Sequence, residues 1–328
     1  MNLDTPLTRH AGIAYPIICG AMYPCSNLEL VAAASEAGGI GIVQPVTLSY
    51  VFRTDLRDGL KRIRQVTSKP VGLNALIEKS STYYLERMRR YVDVALEMGV
   101  RFFITSLGNP RWVVDAAAQV GGVVYHDITE RKWALKAVDA GAHGLICVNS
   151  RAGGHAGAKT PEQLVAECGD LGLPLICAGG VGDASEFVAA LRMGYAGVQM
   201  GTRFIATEEC SARDDYKRAI VDAEEADIVL TERITGVPLA VIRTPFVERI
   251  GTAIGPISRW LFQQRRTKHW MRMFYALRSL RKMKRDSVTG DGTGEYWQAG
   301  KSVATITRIE PAGAIVRRLS EAALAAPM

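Results

Sequence analysis

The sequence lacks the features of a membrane or secreted protein. No apolar run approaches the roughly 20 residues that a membrane-spanning helix requires. The opening residues, MNLDTPLTRHAG, do not follow the charged-then-apolar order of a secretory signal. We therefore expect a cytoplasmic protein.

Signatures of metal binding and of hydrolases are also missing. The six cysteines, in a chain of 328 residues, include no CxxC pair, which argues against a disulfide scaffold and a zinc site. The five histidines are scattered without an HxxxH pattern, and no GxSxG elbow occurs. We expect no metal centre. Because acid–base groups are also few, an organic cofactor is expected to carry the chemistry.

Acidic residues are absent from one long segment. The net charge is +7, and the stretch 259–285 contains many Lys and Arg residues but no Asp or Glu. Three interpretations stay open: an amphipathic helix on an anionic membrane surface, a docking face for acyl carrier protein or the phosphates of CoA, or an insertion helix with a solvated charged face. Nucleic acid is not an expected partner, because no recognition module accompanies the charge.

Short apolar runs alternate with helical patterns along the first two thirds of the chain. The runs are YPIIC, GIGIV, PVGLN, RFFIT, GVVYH, GLICV, PLICA and GVQM. Eight such runs predict a closed TIM (β/α)8 barrel, because an open doubly wound sheet usually has fewer strands. Expected helix caps at Ser26, Thr160 and Asp183 agree with this spacing.

The regular alternation stops after the eighth run. We expect residues 207–290 to form a helical insertion or lid after the last strand. Residues 1–206 and 291–328 would form the barrel, with a closing helix near the end of the chain.

Several candidate site residues follow predicted strands, where a barrel of this type places its active site. Ala21 and Met22 come after the first strand, and small residues there allow a planar ligand to approach. Asn74 ends the third strand, and its amide can donate and accept hydrogen bonds. His126 ends the fifth. A tight turn between strand and helix explains Ala21 and Met22 equally well, and a helix cap or an Asx turn explains Asn74 equally well.

A glycine-rich loop with one histidine follows the sixth strand. It contains Ala152, Gly153, Gly154 and His155. Dense glycines let the backbone pass close to a ligand, and histidine serves as a general base or hydrogen-bond donor near neutral pH. We favour a role in catalysis or substrate binding for His155 over a structural one.

Two further loops lie after the seventh and eighth strands, the usual phosphate site of this fold. Free backbone N–H groups at such turns bind phosphate oxygens. The alternative is that these residues only form ordinary turns between a strand and a helix. The residues of interest are Ala178, Gly179, Gly180, Met200, Gly201 and Thr202.

The combination of motifs resembles the nitronate monooxygenase family, formerly called 2-nitropropane dioxygenases. The similar segments are AGGHAG, AGGVGDASEFVAALRMGYAGVQMGTRFIATEEC, YPIICGAMYPCSNLELVAAASEAGGIGIV and WQAGKSVATI. The resemblance implies an FMN-dependent TIM barrel with a helical insertion. It also implies oxidation of an alkyl nitronate by O₂ to a carbonyl compound and nitrite.

The resemblance assigns roles to the candidate residues. Ala21, Met22 and Asn74 would contact the flavin ring system, and His155 matches the active-site histidine. The remaining residues would complete the cofactor site, with the glycines and Thr202 at the ribityl phosphate: His126, Ala152, Gly153, Gly154, Ala178, Gly179, Gly180, Met200, Gly201 and Thr202.

The chain departs from the family pattern at three places, one of which is Ala142-His143, where many relatives have an acidic residue. Arg151 stands where the family usually has Glu, and His126-Asp127 stands where members often carry a lysine near the flavin.

The GGH and AGG motifs are shared with flavin-type enoyl-acyl-carrier-protein reductases and NAD(P)H:quinone reductases. An FMN-dependent NAD(P)H oxidoreductase is therefore the alternative, and a non-enzymatic flavin-binding barrel is a third hypothesis. A homodimer is a further hypothesis.

Overall fold

Eight parallel strands close into a barrel in the computed structural model, which describes residues 1–78, 82–255, 264, 281–290 and 296–327. Each strand pairs with the next, and the eighth returns to pair with the first. The predicted TIM barrel and all eight predicted strands are confirmed. The strands are β1 (Ile17–Cys19), β2 (Ile40–Val43), β3 (Val71–Ile77), β4 (Phe102–Leu107), β5 (Val123–Ile128), β6 (Gly144–Val148), β7 (Leu175–Ala178) and β8 (Gly197–Met200).

Helices alternate with the strands and cover the barrel. The last of them packs against the helices on either side of it and closes the ring. In chain order the helices of the barrel are α1 (Pro6–Ala11), α2 (Leu28–Glu36), α3 (Leu56–Val66), α4 (Thr82–Glu97), α5 (Arg111–Ala118), α6 (Arg131–Asp139), α7 (Pro161–Cys168), α8 (Ala184–Arg192) and the short α9 (Thr202–Ile205). The insertion contributes α10 (Asp214–Asp222) and α11 (Pro245–Ile250), and the closing helix is α12 (Ala312–Ala325).

Two of the three predicted caps are confirmed. The Thr160 hydroxyl accepts from the N–H of Gln163 at the start of α7, and the Asp183 carboxylate accepts from the N–H of Glu186 at the start of α8. The third was wrong, because α2 begins after Asn27. The Ser26 hydroxyl instead accepts from the N–H of Met22, 2.7 Å away, and so shapes the loop after β1.

The barrel strands are apolar on both faces, which explains their continuous apolar runs. On β4, Phe102 and Ile104 belong to the cluster inside the barrel, whereas Phe103 packs outward among the helices. The same alternation holds on every strand. It determines which residue at each strand end faces the barrel interior.

Helix α1 closes the end of the barrel where the strands begin. Leu7 and Ala11 pack with the inner cluster, and His10 Nδ1 lies 2.9 Å from the hydroxyl of Tyr125, whose ring is inside the barrel. The opposite end, where the strands finish, is the one available to a ligand. We call it the mouth.

The sequence predicted a helical insertion, but the inserted segment also contains strands. Within 207–255 it contains α10 and α11, and between them the antiparallel strands β9 (Ile228–Thr231) and β10 (Leu239–Ile242). Two short, strongly β-forming runs, IVLT and LAVI, flank a turn with Gly236 at φ +78°. The local strand propensity of these two runs therefore determines their conformation, where the sequence analysis had predicted helix. The proposed boundaries of the insertion stay a prediction.

The basic segment 259–285 lies outside the described residues, apart from 264 and 281–285. No helix in the described ranges has the length and apolar character needed to cross a membrane. All six cysteines are free and buried, as expected for small core residues.

Candidate functional site at the barrel mouth

One layer of four inward-facing residues lies at the mouth. Inside such a barrel, side chains stack in layers of four, one from every second strand. Tyr125 is inside the barrel, so Asp127, two residues further along β5, faces the same way. Because the strands are tilted against the barrel axis, the level of each layer advances by about one residue from strand to strand relative to the paired residues. With this stagger, the strand registers bring Gly20, Asn74 and Ala178 to the level of Asp127.

Two predicted cofactor residues turn their side chains away from this layer. His126 points outward, buried, with Nδ1 2.8 Å from the Thr105 hydroxyl, and burial lowers its pKa to about 4. The Met200 side chain belongs to the cluster between barrel and helices, and only its carbonyl serves the mouth by accepting from the Gly20 N–H at 3.0 Å. Alternation along β5 and β8 explains both cases.

Sequence reasoning missed Asp127 as a site residue. Its Oδ1 atom is buried and makes no hydrogen bond within the described part of the chain. Desolvation raises the pKa of this carboxyl to about 7. Counting residues by twos from the buried Tyr125 would have identified Asp127, rather than His126, as the inward residue.

The loop after β7 approaches the loop after β6 so closely that only glycine fits. Gly179 has φ +117°, and a Cβ there would lie 2.5 Å from the Ala152 nitrogen and 2.6 Å from Asn149 Oδ1. Gly180 follows with φ +79°. Both angles favour glycine. These glycines let the two loops meet.

Asn149 joins these two loops, and sequence reasoning missed it as well. Its side chain is fully buried, with Nδ2 donating to the Gly179 carbonyl at 3.0 Å and Oδ1 accepting from the Arg151 N–H at 2.8 Å. Asn149 directly follows a predicted strand run, and Asn74 is the last residue of another. A side-chain amide at the end of a strand run is therefore the sequence signal that Asn74 and Asn149 share.

The loops after β1 and β8 lie side by side. A Cβ on Gly201 would lie 3.5 Å from Met22 Cγ, so these two predicted residues are neighbours. The Thr202 hydroxyl accepts from the Gly300 N–H at 3.0 Å. The N–H groups of Gly180 and Gly201 donate to no other described residue. They are free to bind an anion, as phosphate-binding glycine turns do.

His155 stands on the loop after β6, beside the insertion. Gly154 and Ala240 of β10 form an antiparallel bridge, in which the Ala240 N–H donates to the Gly154 carbonyl at 2.7 Å. His155 Nε2 lies 3.3 Å from the Thr235 hydroxyl, which itself donates to the Val237 carbonyl at 2.9 Å. That hydroxyl hydrogen is used, so Nε2 carries the hydrogen and donates to Thr235. Nδ1 is then the unprotonated nitrogen.

The His155 ring reaches solvent, yet the surrounding protein crowds it. Desolvation lowers its pKa below the usual value, so the imidazole is neutral at pH 7. A neutral imidazole with a bare Nδ1 can accept a proton from a bound molecule.

Charged residues flank the glycine loops. Arg151 Nη2 lies 3.2 Å from a carboxylate oxygen of Glu225 and 3.7 Å from one of Glu186. The Lys301 ammonium is 3.2 Å from Glu225, and the Lys301 N–H donates to the Arg151 carbonyl at 2.9 Å. The arginine that replaces the family glutamate thus belongs to a local ion-pair network.

These features fit a flat, polar cofactor that carries a phosphate. The glycine turns provide space and free N–H groups, while Asp127 Oδ1 and Gln199 Oε1 are buried polar atoms without a partner in the described chain. Native proteins rarely leave such atoms unsatisfied, and a bound ligand is one way to satisfy them. The described residues contain no cluster of three or more potential metal ligands.

This site belongs to an oxidoreductase. A family model described as nitronate monooxygenase matches residues 4–322. The chain therefore belongs to the nitronate monooxygenase family.

Individual relatives differ in their named activities. The chain is 33% identical, over 76% of its length and 69% of the relative, to the (3aS,4S,5R,7aS)-5-hydroxy-7a-methyl-1-oxo-octahydro-1H-indene-4-carboxyl-CoA dehydrogenase of Mycobacterium tuberculosis. It is 27% identical to a probable nitronate monooxygenase of Staphylococcus saprophyticus, covering 76% and 81% of the two chains. Among solved structures, FabK from Thermotoga maritima is similar at 29% identity and a TM-score of 0.80, with 98% and 97% coverage.

Proposed function

We propose that the chain is an FMN-dependent nitronate monooxygenase that binds FMN at the barrel mouth. The observation that carries the proposal is the position of His155. Its unprotonated Nδ1 belongs to the same loop as Gly153 and Gly154, and this loop is bonded through Asn149 to the glycine turn after β7. A proton acceptor therefore stands beside a backbone surface suited to a phosphate-bearing cofactor.

The predicted residues divide the binding of FMN between them. Backbone N–H groups of Gly180 and Gly201 would hold the phosphate, with Thr202 fixing the neighbouring Gly300. Ala21, Met22 and Asn74 would border the ring system, where Asn74 can match donors and acceptors of a pyrimidine edge. When bound, FMN supplies the redox chemistry by taking electrons from the substrate and passing them to O₂.

His155 would act on the substrate through Nδ1. With a neutral nitroalkane, Nδ1 would remove the proton from the carbon next to the nitro group and so form the nitronate. With a nitronate already formed, the ring would only position the nitro group. The overall reaction would convert an alkyl nitronate and O₂ to a carbonyl compound and nitrite, which is the activity that the family resemblance implies.

A second candidate is an FMN-dependent NAD(P)H oxidoreductase that acts on an acyl thioester. The CoA dehydrogenase named among the relatives supports it. Arg151 and Lys301 also bring two cations to the site, although Glu225 and Glu186 partly neutralise them. Cations are the groups that the phosphates of CoA require.

Three further expectations stay hypotheses. They are contact of 259–285 with an acyl carrier or an anionic surface, a cytoplasmic location, and a homodimer.

Anaerobic reduction of the purified protein distinguishes the two candidates. A visible flavin band that an alkyl nitronate bleaches, and that NADH and NADPH do not, supports the monooxygenase. Bleaching by NADH or NADPH supports the thioester or quinone reductase. A colourless protein that also fails to take up added FMN contradicts both candidates.

Replacing His155 tests its role as a base. His155→Ala is expected to lower kcat/KM for a neutral nitroalkane by about 10²–10⁴-fold. FMN affinity should change little, because His155 faces the substrate. Thr235→Val, which removes only the group that fixes the ring tautomer, should give a smaller decrease. Unchanged turnover of the neutral nitroalkane by His155→Ala would exclude this role.

The pH dependence should follow the lowered pKa of His155. The base is active when neutral, so kcat/KM for a neutral nitroalkane should stay constant as the pH falls through 6.5 and decrease only below it. A pH profile measured with a preformed nitronate should lack this acidic limb. An acidic limb of equal size with both substrates would contradict deprotonation by His155.

A further inference from the structure

Asp127 is the one acidic side chain in the inward layer of the mouth. The other three members of that layer are Gly20, Asn74 and Ala178, none of which titrates. A carboxyl at this level faces whatever the mouth binds. This inference rests on the proposed binding of FMN.

The carboxyl has an unsatisfied hydrogen-bonding atom. Oδ1 is buried and without a partner in the described chain, whereas most buried polar atoms in proteins are bonded. Its immediate neighbours along β5, Tyr125 and His126, leave it unpaired: the Tyr125 hydroxyl is bonded to His10 and the His126 ring to Thr105. The Oδ1 atom therefore has no protein partner among the described residues and can bond a ligand.

Few titratable groups surround Asp127. On the neighbouring β6, Cys147 faces outward, and the pKa of its thiol is raised chiefly by burial, with a smaller contribution from Asp127. No charged group contributes to the pKa of Asp127, which desolvation alone raises. His155 is neutral above pH 7. The charged residues beside the glycine loops, which are Arg151, Glu186, Glu225 and Lys301, are paired with one another. Proton uptake near pH 8 can therefore be attributed to Asp127.

We propose that Asp127 contacts the bound flavin and takes up one proton from solvent when the flavin accepts an electron pair. FMN that receives two electrons and one proton gains one negative charge. Two like charges in one poorly solvated site are unfavourable, so the carboxylate is protonated in the same event. The balance is FMN, two electrons and one proton giving the anionic reduced flavin, with a second proton converting the Asp127 carboxylate to the acid.

Counting protons during chemical reduction tests the proposal without any substrate. The FMN-loaded protein at about pH 8.5 is reduced anaerobically with stoichiometric dithionite in weak buffer, and a pH indicator reports net proton uptake after correction for the proton release of dithionite. The wild type should take up about two protons for each electron pair, because both flavin and carboxylate receive one. Asp127→Asn should take up about one.

A matched variant controls for the loss of a carboxylate elsewhere. Asp115→Asn removes an exposed carboxylate on α5 and should keep the wild-type count of about two. If Asp127→Asn loses FMN, Asp127→Ser provides the second variant. A wild-type count of about one, or a count of about two in both Asp127 variants, overturns the proposal.

The two proposals can fail separately. A protein that binds no FMN contradicts the proposed function before any proton is counted. A yellow protein that nitronate reduces, but that takes up only one proton, keeps the proposed function and removes the role of Asp127.

Discussion

The two sides of the barrel mouth are built in different ways. The glycine side, formed by the loops after β6, β7 and β8, presents backbone and is held together by Asn149, by Gly300 on Thr202 and by the bridge from Gly154 to Ala240. The polar side, formed by the ends of β3, β4 and β5, presents the side chains of Asn74, Ser106 and Asp127. None of these three side chains makes a hydrogen bond with another described residue.

This difference separates binding from stability. On the glycine side, the loops that would bind the cofactor depend on one another for their position, so one substitution should affect both properties. On the polar side, the inward groups are held by strands whose hydrogen bonds do not depend on them. Substitutions there should change the cofactor and leave the fold intact.

The largest effect is expected at Gly179. Gly179→Ala combines a positive φ with contacts of 2.5 and 2.6 Å, so the two loops must separate. FMN affinity should fall by about 100-fold, measured by fluorescence quenching, and Tm should fall as well. Gly194→Ala is the control, because Gly194 has φ +104° but nothing within 4 Å. Equal losses in both variants would mean that backbone strain alone is responsible.

A smaller effect on both properties is expected at Asn149. Asn149→Ala removes the bonds to Gly179 and Arg151 and leaves buried groups unsatisfied. The free energy of unfolding should fall by about 1–3 kcal/mol, measured by chemical denaturation. FMN affinity should fall by about tenfold because the two loops lose their connection. Loss of stability with unchanged FMN affinity would break the link between the two properties on the glycine side.

The smallest effect is expected at Asn74. Its amide makes no hydrogen bond with another described residue, so Asn74→Ala should leave Tm unchanged. FMN affinity should fall by about fivefold, equivalent to about 1 kcal/mol for one hydrogen bond. A marked decrease in Tm would show that the polar side also supports the fold, and the contrast between the two sides would fail.

The same contrast explains what could be predicted from the sequence. The barrel follows from eight apolar runs at regular spacing. The rule that turns after the late strands bind phosphate selects Gly179, Gly180 and Gly201 as candidates, and their binding role stays a prediction. Both features depend on local pattern and on backbone conformation, which the residue types themselves specify.

Side-chain direction could not be obtained with the same certainty. His126 and Asp127 are adjacent polar residues at one strand end, and a difference of one position decides which faces the mouth. The residue expected in the site, His126, faces the helices. The β9–β10 hairpin was missed for another reason: its two strands are short and lie within a region whose other segments read as helical.

The bridge between Gly154 and Ala240 has an evolutionary consequence. It joins the His155 loop to the hairpin through main-chain atoms only, so it requires no particular side chain from the exposed residues of the hairpin. Hairpin residues such as Leu230 and Val237 are exposed and can vary without releasing the loop. The exposed residues of the hairpin can therefore diverge between relatives while His155 keeps its position.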